Sequence, residues 1–223
     1  MAAPDFLSAT PARVCVMPRL TLADMIVVAP LVRRLSAVVP DALVVLPKRY
    51  VHEARRLDFG AARFKFVESW HSSWMDGLEG YQLAPLPSFR EACPYAMLGM
   101  DPALPSSDLV IRRDADAERA LLHRVHAAVG ERFVVVHDDE ARPIRRHLLP
   151  QGLPVVHVRD PSFRVPNAFD WLQVLDHAQQ VHAVDSCFAV LVDLLGMRTH
   201  TFVHAYAGPV SARAHYRDAL LVY

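Results

Sequence analysis

The chain has 223 residues, of which 52% are hydrophobic, and its 24 Lys and Arg residues are balanced by 24 Asp and Glu residues. A formal net charge of zero excludes a global attraction to nucleic acid or to acidic membranes, so no nucleic-acid partner is expected. No apolar run reaches the roughly 18 residues of a membrane-spanning helix, and the N-terminus lacks the order of a signal peptide. The sequence therefore predicts a globular, cytoplasmic protein without a transmembrane segment.

The chain has three cysteines, Cys15, Cys93 and Cys187. Their odd number and wide spacing favour buried thiols over disulfides.

The first part of the chain alternates predicted strands and helices. Apolar runs at residues 13–17, 42–47 and 64–67 predict buried strands, and a helical apolar pattern covers residues 24–38. This alternation is typical of a parallel sheet. Residues 70–107 carry many of the 17 prolines without sustained periodicity, which predicts a loop-rich crossing region.

A second α/β pattern begins after Asp114. Its predicted strands lie at residues 133–136, 154–158, 181–184 and 201–204. Its predicted helices lie at residues 116–129, closed by Gly130, at 169–179, and at 187–195, stopped by Gly196. The simplest architecture is an α/β protein of two Rossmann-like halves, residues 1–114 and 115–223.

Two strand-to-helix turns carry acidic or hydroxyl side chains, Asp24 in the first half and Asp185 with Ser186 in the second. In open α/β sheets such turns face the ligand crevice, so the two are expected to converge on one cleft. The helix start at Ser186 offers backbone N–H groups to a phosphate. The alternative is that these residues only cap their helices, with Thr21 as the true cap in the first half.

Polar side chains near other strand ends of the second half supply further candidates for this site. They are His137, Asp138, Arg142, Arg145, Arg146, His157, Arg159, His204 and Tyr206. Arginines there would clamp a diphosphate through bidentate hydrogen bonds. The alternatives are a solvated, self-neutralising charged loop and ordinary strand ends. The spacing of His137 and Asp138 lacks a paired-histidine motif, so no metal site is predicted.

Two of these segments resemble the signatures of GT-B glycosyltransferases, nearest to the heptosyltransferase-like pattern. The segment Ala23-Asp24-Met25-Ile26 with Pro30 is similar to the start of the family's first helix, with Ala23 in place of a glycine. The segment Asp185-Ser186-Cys187 with Leu195-Gly196 resembles the family's Asp-Ser/Thr-Gly signature, with Cys187 in place of the glycine.

The resemblance implies a GT-B-like fold, in which an acceptor-side half and a donor-side half face a cleft. It implies a metal-independent transfer of a sugar from a nucleotide-diphosphate sugar to a glycan or other acceptor, with no cofactor beyond that co-substrate. Asp24 would be the base, and Asp185, Ser186 and Cys187 would bind the donor. The alternative is a catalytically inactive binding or scaffolding protein, favoured by the two missing glycines. A homo-oligomer is compatible with the sequence, which does not specify the oligomeric state.

Overall fold

The computed structural model describes residues 12–17, 21–68, 76–85, 109–197, 199–204 and 220–222. The chain divides into two compact units, Met1–Arg112 (unit 1) and Arg113–Tyr223 (unit 2). Each unit contains its own parallel sheet, which confirms the predicted α/β class with Rossmann-like character. Among the helices of the described ranges, none combines the length and the apolar character that a membrane crossing requires.

The sheet of unit 1 contains four parallel strands in the order β3-β2-β1-β4. They are β1 (Arg13–Met17), β2 (Asp41–Pro47), β3 (Arg63–Val67) and β4 (Gln82–Pro85). This is the strand order of one half of a Rossmann fold, in which β1 has the second strand on one side and the fourth on the other. β4 lies inside the region predicted to be loop-rich. It was missed because it is a short edge strand ending in proline, a residue that edge strands tolerate.

Helix α1 (Leu22–Val38) follows β1, and the short helix α2 (Val51–Ala54) follows β2. Every residue of α1 from Leu22 to Val32 is buried, including Asp24. Apolar residues lie on all sides of this part of the helix, so it has little amphipathic character and is buried on all sides.

One ionic cluster joins the amino ends of three strands of unit 1. Asp41 at the start of β2 accepts hydrogen bonds from Tyr81 Oη at 2.7 Å, Arg63 Nη2 at 2.6 Å and Arg13 Nε at 3.0 Å. These bonds, that of Tyr81 foremost, lower the pKa of Asp41 to about 2. The cluster therefore supports the observed register, in which Arg13 pairs with Asp41.

The sheet of unit 2 contains five parallel strands in the order β6-β5-β7-β8-β9. They are β5 (Val134–His137), β6 (Val155–His157), β7 (Gln180–Val184), β8 (His200–His204) and β9 (Leu220–Val222). This order is that of flavodoxin-like sheets, whose switch point lies between the first and third strands, here β5 and β7. The sequence predicted four of these strands. β9 has three residues and is too short to give a recognisable pattern.

The α-helices in the described part of unit 2 are α3 (Ala115–Val129), α4 (Leu172–His177) and α5 (Cys187–Leu194). The single helix predicted over 169–179 is instead a 3-10 turn, Ala168–Trp171, followed by α4. All three helices contribute to one core on one sheet face, which includes Val135, Val156 and Val181. The opposite face, with Val134, Val136 and Val184, is covered by Ile144 and Leu149.

The turn before β3 depends on Gly60, which has a φ of +65°. A Cβ atom at this position would lie 2.4 Å from the Oγ of Ser36 in α1. That hydroxyl accepts a hydrogen bond from Ala61 N at 3.1 Å, and its own proton has two acceptors within reach, Arg33 O at 2.9 Å and Phe59 O at 3.2 Å. The close approach of the turn to α1 therefore leaves no room for a side chain at residue 60.

We expect Gly60→Ala to lower the free energy of unfolding by about 2–3 kcal/mol, since it combines left-handed backbone strain with a collision. The matched control is Gly77→Ala, where φ is +76° and no atom of the described residues lies within 4 Å of an added Cβ. Backbone strain alone should cost about 1 kcal/mol there. Urea unfolding followed by circular dichroism measures both. Equal losses would show that contact with Ser36 is not the constraint.

Candidate functional site

The carboxyl ends of β5 and β7 lie side by side at the switch point of unit 2. β5 ends at His137, and β7 leads through Asp185 to Ser186 at the start of α5. His137 Nδ1 lies 2.8 Å from Ser186 Oγ, within hydrogen-bond distance. The structure thus joins two predicted site residues, 49 positions apart in the chain, at the place where open parallel sheets bind ligands.

His137 is neutral at physiological pH, because burial lowers its pKa to about 4. Its ring centroid lies 4.4 Å from that of Phe188, the second residue of α5. A neutral imidazole has one donor and one acceptor nitrogen. When Nδ1 carries the proton, it donates to Ser186 Oγ and leaves the serine proton for another acceptor. In the other tautomer, Ser186 donates to Nδ1.

Ser186 occupies the N-cap position of α5, but its side chain makes no capping hydrogen bond. Its partner is His137 instead. The sequence predicted that Ser186 caps this helix. Ser186 does occupy the N-cap position, but its hydroxyl bonds to His137 instead of to a backbone N–H group of the helix. The first turn of α5 begins with Cys187, which is half-buried. First-turn N–H groups of a helix have no intrahelical acceptor, so they are a favourable place for an anion.

Asp138, His157 and Arg159 form a second cluster at the ends of β5 and β6. The Asp138 side chain is 2% exposed, and its Oδ2 accepts a hydrogen bond from Ile144 N at 3.1 Å. Its Oδ1 lies 3.3 Å from Arg159 Nε and 3.7 Å from His157 Nδ1. Because a buried carboxylate requires a countercharge, Arg159 serves first to balance Asp138.

The arginines of the loop after β5 do not join the His137–Ser186 pair. Arg142 donates from Nε at 2.9 Å and from Nη2 at 2.5 Å to Asp139 Oδ2, and these bonds lower the pKa of Asp139. The Arg142–Asp139 pair agrees with the alternative given in the sequence analysis, a self-neutralising charged loop. Arg145 is exposed and makes no ion pair with any residue that the structure describes.

A buried histidine pair links β7 to β8 and includes a residue that the sequence analysis missed. His182 and His204 are each 3% exposed, and His182 Nδ1 lies 3.1 Å from His204 Nε2. His182 Nε2 lies 3.0 Å from Gln180 Oε1. Burial lowers the pKa of both histidines, that of His182 to about 4. Gln180 and His182 are two residues apart in β7 and therefore lie on the same face of the strand. This spacing could have indicated a polar contact, but the other residues of β7 are apolar.

Tyr206, predicted beside His204, lies outside the described residues.

In unit 1, Asp24 is part of a complete capping box and is 1% exposed. Its Oδ2 accepts hydrogen bonds from Thr21 Oγ1 at 2.6 Å and from Thr21 N at 3.2 Å, and Thr21 Oγ1 accepts one from Asp24 N at 3.1 Å. Thr21 is therefore the N-cap of α1, the alternative that the sequence left open. This reciprocal arrangement satisfies two backbone donors at the helix start.

No family model, curated protein or solved structure matches this chain. Across the described ranges, no group of three or more His, Cys, Asp or Glu side chains is arranged to bind a metal ion.

Acidification should destabilise unit 2 between pH 6.5 and pH 4. The folded-state pKa values of His137 and His182 are about 4, below the ordinary value of 6.5. In this window the unfolded chain binds protons that the folded chain excludes, so stability falls as the pH falls. The loss reaches up to about 3 kcal/mol per histidine at the lower end, at about 1.4 kcal/mol per pKa unit. Urea unfolding at a series of pH values measures it.

His182→Gln is the diagnostic variant, because glutamine keeps polar atoms at this position but does not titrate. We expect a weaker pH dependence than in the unaltered protein. His123→Gln, on the exposed side of α3, should leave the pH dependence unchanged. An identical pH slope in all three proteins would show that His182 is not the source.

Proposed function

We propose that the protein is a metal-independent glycosyltransferase that moves a sugar from a nucleotide-diphosphate sugar to a glycan or other acceptor. Unit 2 would bind the donor and unit 1 the acceptor. The observation that carries the proposal is the His137–Ser186 hydrogen bond at the switch point of the unit 2 sheet. The resemblance around Asp24 and Asp185 supports the choice of this reaction class.

The donor diphosphate would lie at the start of α5. The partial positive charge of a helix N-terminus favours an anion there, and it favours the leaving diphosphate more as negative charge develops during transfer. In the Nδ1-protonated tautomer, His137 would direct the Ser186 proton towards a phosphate oxygen. Because His137 is neutral, it would orient this hydroxyl without adding a charge of its own.

Asp24 would take the proton of the acceptor hydroxyl as that oxygen bonds to the anomeric carbon and the nucleotide diphosphate departs. The Thr21 hydrogen bonds would hold the carboxylate in one orientation. An orientation fixed before the substrate arrives lowers the entropic cost of reaching the transition state.

A second candidate is a protein that binds a nucleotide ligand without transferring a sugar. The state of Asp24 favours it, since a carboxylate that is 1% exposed and bonded within a capping box has a sufficient structural role. The two candidates share the donor site and differ in the role of Asp24.

Binding is the first test. In a thermal-shift screen with UDP, GDP, ADP, CMP and TDP, we expect one diphosphate nucleotide to raise the melting temperature selectively, since it binds the native state. Ser186→Ala should weaken its binding about tenfold, the effect of losing roughly 1.4 kcal/mol of hydrogen bonding. Ser162→Ala removes an exposed hydroxyl from the same unit and should have no effect. If none of the nucleotides shifts the melting temperature, both candidates fail.

Turnover distinguishes the candidates. Asp24→Asn should reduce nucleotide release from the donor sugar by at least about 100-fold while donor affinity stays unchanged, because the base is lost. Asparagine keeps an oxygen that accepts from Thr21, so the helix cap survives. Thr21→Val should cost about 1 kcal/mol of stability through the lost cap. It should lower turnover much less than Asp24→Asn does, because the base is still present and keeps its hydrogen bond from Thr21 N. Nucleotide binding without turnover in the unaltered protein would favour the second candidate.

A further inference from the structure

We propose that a groove at the amino end of β6 binds a small amphipathic anion, with a short alkyl chain in the groove and a carboxylate at its rim. The groove encloses about 390 Å³ and is lined by residues between Arg146 and Val155. A volume of this size lies at the lower end of the range of small-molecule sites. The groove therefore fits a short chain better than a peptide segment.

The groove is separate from the candidate donor site. Val155 is the first residue of β6, and in the parallel register it pairs with Val134, the first residue of β5. The groove thus lies at the amino edge of the parallel sheet. His137 and Ser186 lie at the carboxyl edge. The proposal consequently does not rest on the proposed transferase function.

The walls of the groove are mainly apolar. Leu149, Leu153 and Val155 line it, together with Pro150. Leu149 is buried against the sheet face that carries Val134, and Leu153 and Val155 are partly buried against the same cluster. A short alkyl chain placed here would remove apolar surface from water on both sides, at roughly 25 cal/mol per Å².

The groove carries the positive charge of Arg146. Arg146 and His147 line it, and the segment from residue 143 to 155 contains no acidic residue. Arg146 is exposed and makes no ion pair with any residue in the described ranges. A guanidinium group beside an apolar surface matches a carboxylate on an apolar chain, because its parallel N–H groups form bidentate, charge-assisted hydrogen bonds. This charge complementarity selects an anionic head group over a neutral or cationic one.

Calorimetric titration with octanoate, octan-1-ol and octylammonium tests the proposal on the full chain. We expect saturable binding of octanoate, at least tenfold weaker binding of octan-1-ol, and no binding of octylammonium. Affinity should rise from butanoate through hexanoate to octanoate, because the groove buries the chain. This chain-length series needs no variant, so it tests the walls of the groove even if substitutions there impair folding.

Arg146→Gln should weaken octanoate binding at least tenfold. The matched control Arg124→Gln changes the net charge equally from α3, outside the groove, and should retain full affinity. Equal affinities of the two variants, equal binding of octanoate and octylammonium, or no saturable binding would overturn the proposal. So would a dimer in sedimentation velocity that Arg146→Gln dissociates, because that result would assign the groove to a second copy of the chain.

Discussion

Parallel pairing of buried strands is the constraint on which both units depend. Every strand of each sheet runs in the same direction, so every strand ends at the same edge of its sheet. β5 is apolar up to its last residue, and in β7 the polar residues Gln180 and His182 precede the carboxyl end, with His182 buried against His204. Polar groups at or just beyond the carboxyl ends of these strands, such as His137 and Ser186, are therefore brought to one edge by the backbone hydrogen bonds of the sheet.

The buried position of this edge determines the charge state of its polar groups. The interior disfavours an isolated charge, so each buried group is either neutral or paired. His137 and His182 are neutral because burial lowers their pKa values. Asp138 is buried beside Arg159. The edge of unit 2 thus offers the His137–Ser186 pair and the N-terminus of α5, whose dipole would favour an anion.

Local pattern predicted the long, regular elements, and pairing between distant segments determined the rest. The apolar run of β2 and the helical period of α3, closed at Gly130, were visible in the sequence. β4 and β9 were not, since each exists through pairing with a neighbour, β1 or β8, rather than through its own sequence. In the candidate site, the strand ends were predictable. The partners were not, because the His137–Ser186 bond and the His182–His204 pair each require a known strand order and register.

The two strand-to-helix turns look equivalent in sequence, but their first-turn side chains differ in a way that bears on ligand binding. At α1, Thr21 and Asp24 bond to each other's backbone N–H groups, so side chains of the protein take the place that an anion would occupy. At α5, the Ser186 hydroxyl pairs with His137 and makes no capping hydrogen bond to its own helix. An anion at α1 would have to displace a carboxylate and lose its hydrogen bonds, whereas at α5 it would add to an existing network. This asymmetry supports the proposed placement of the anion in unit 2, and it leaves Asp24 in unit 1 either for the proposed proton transfer or for capping alone.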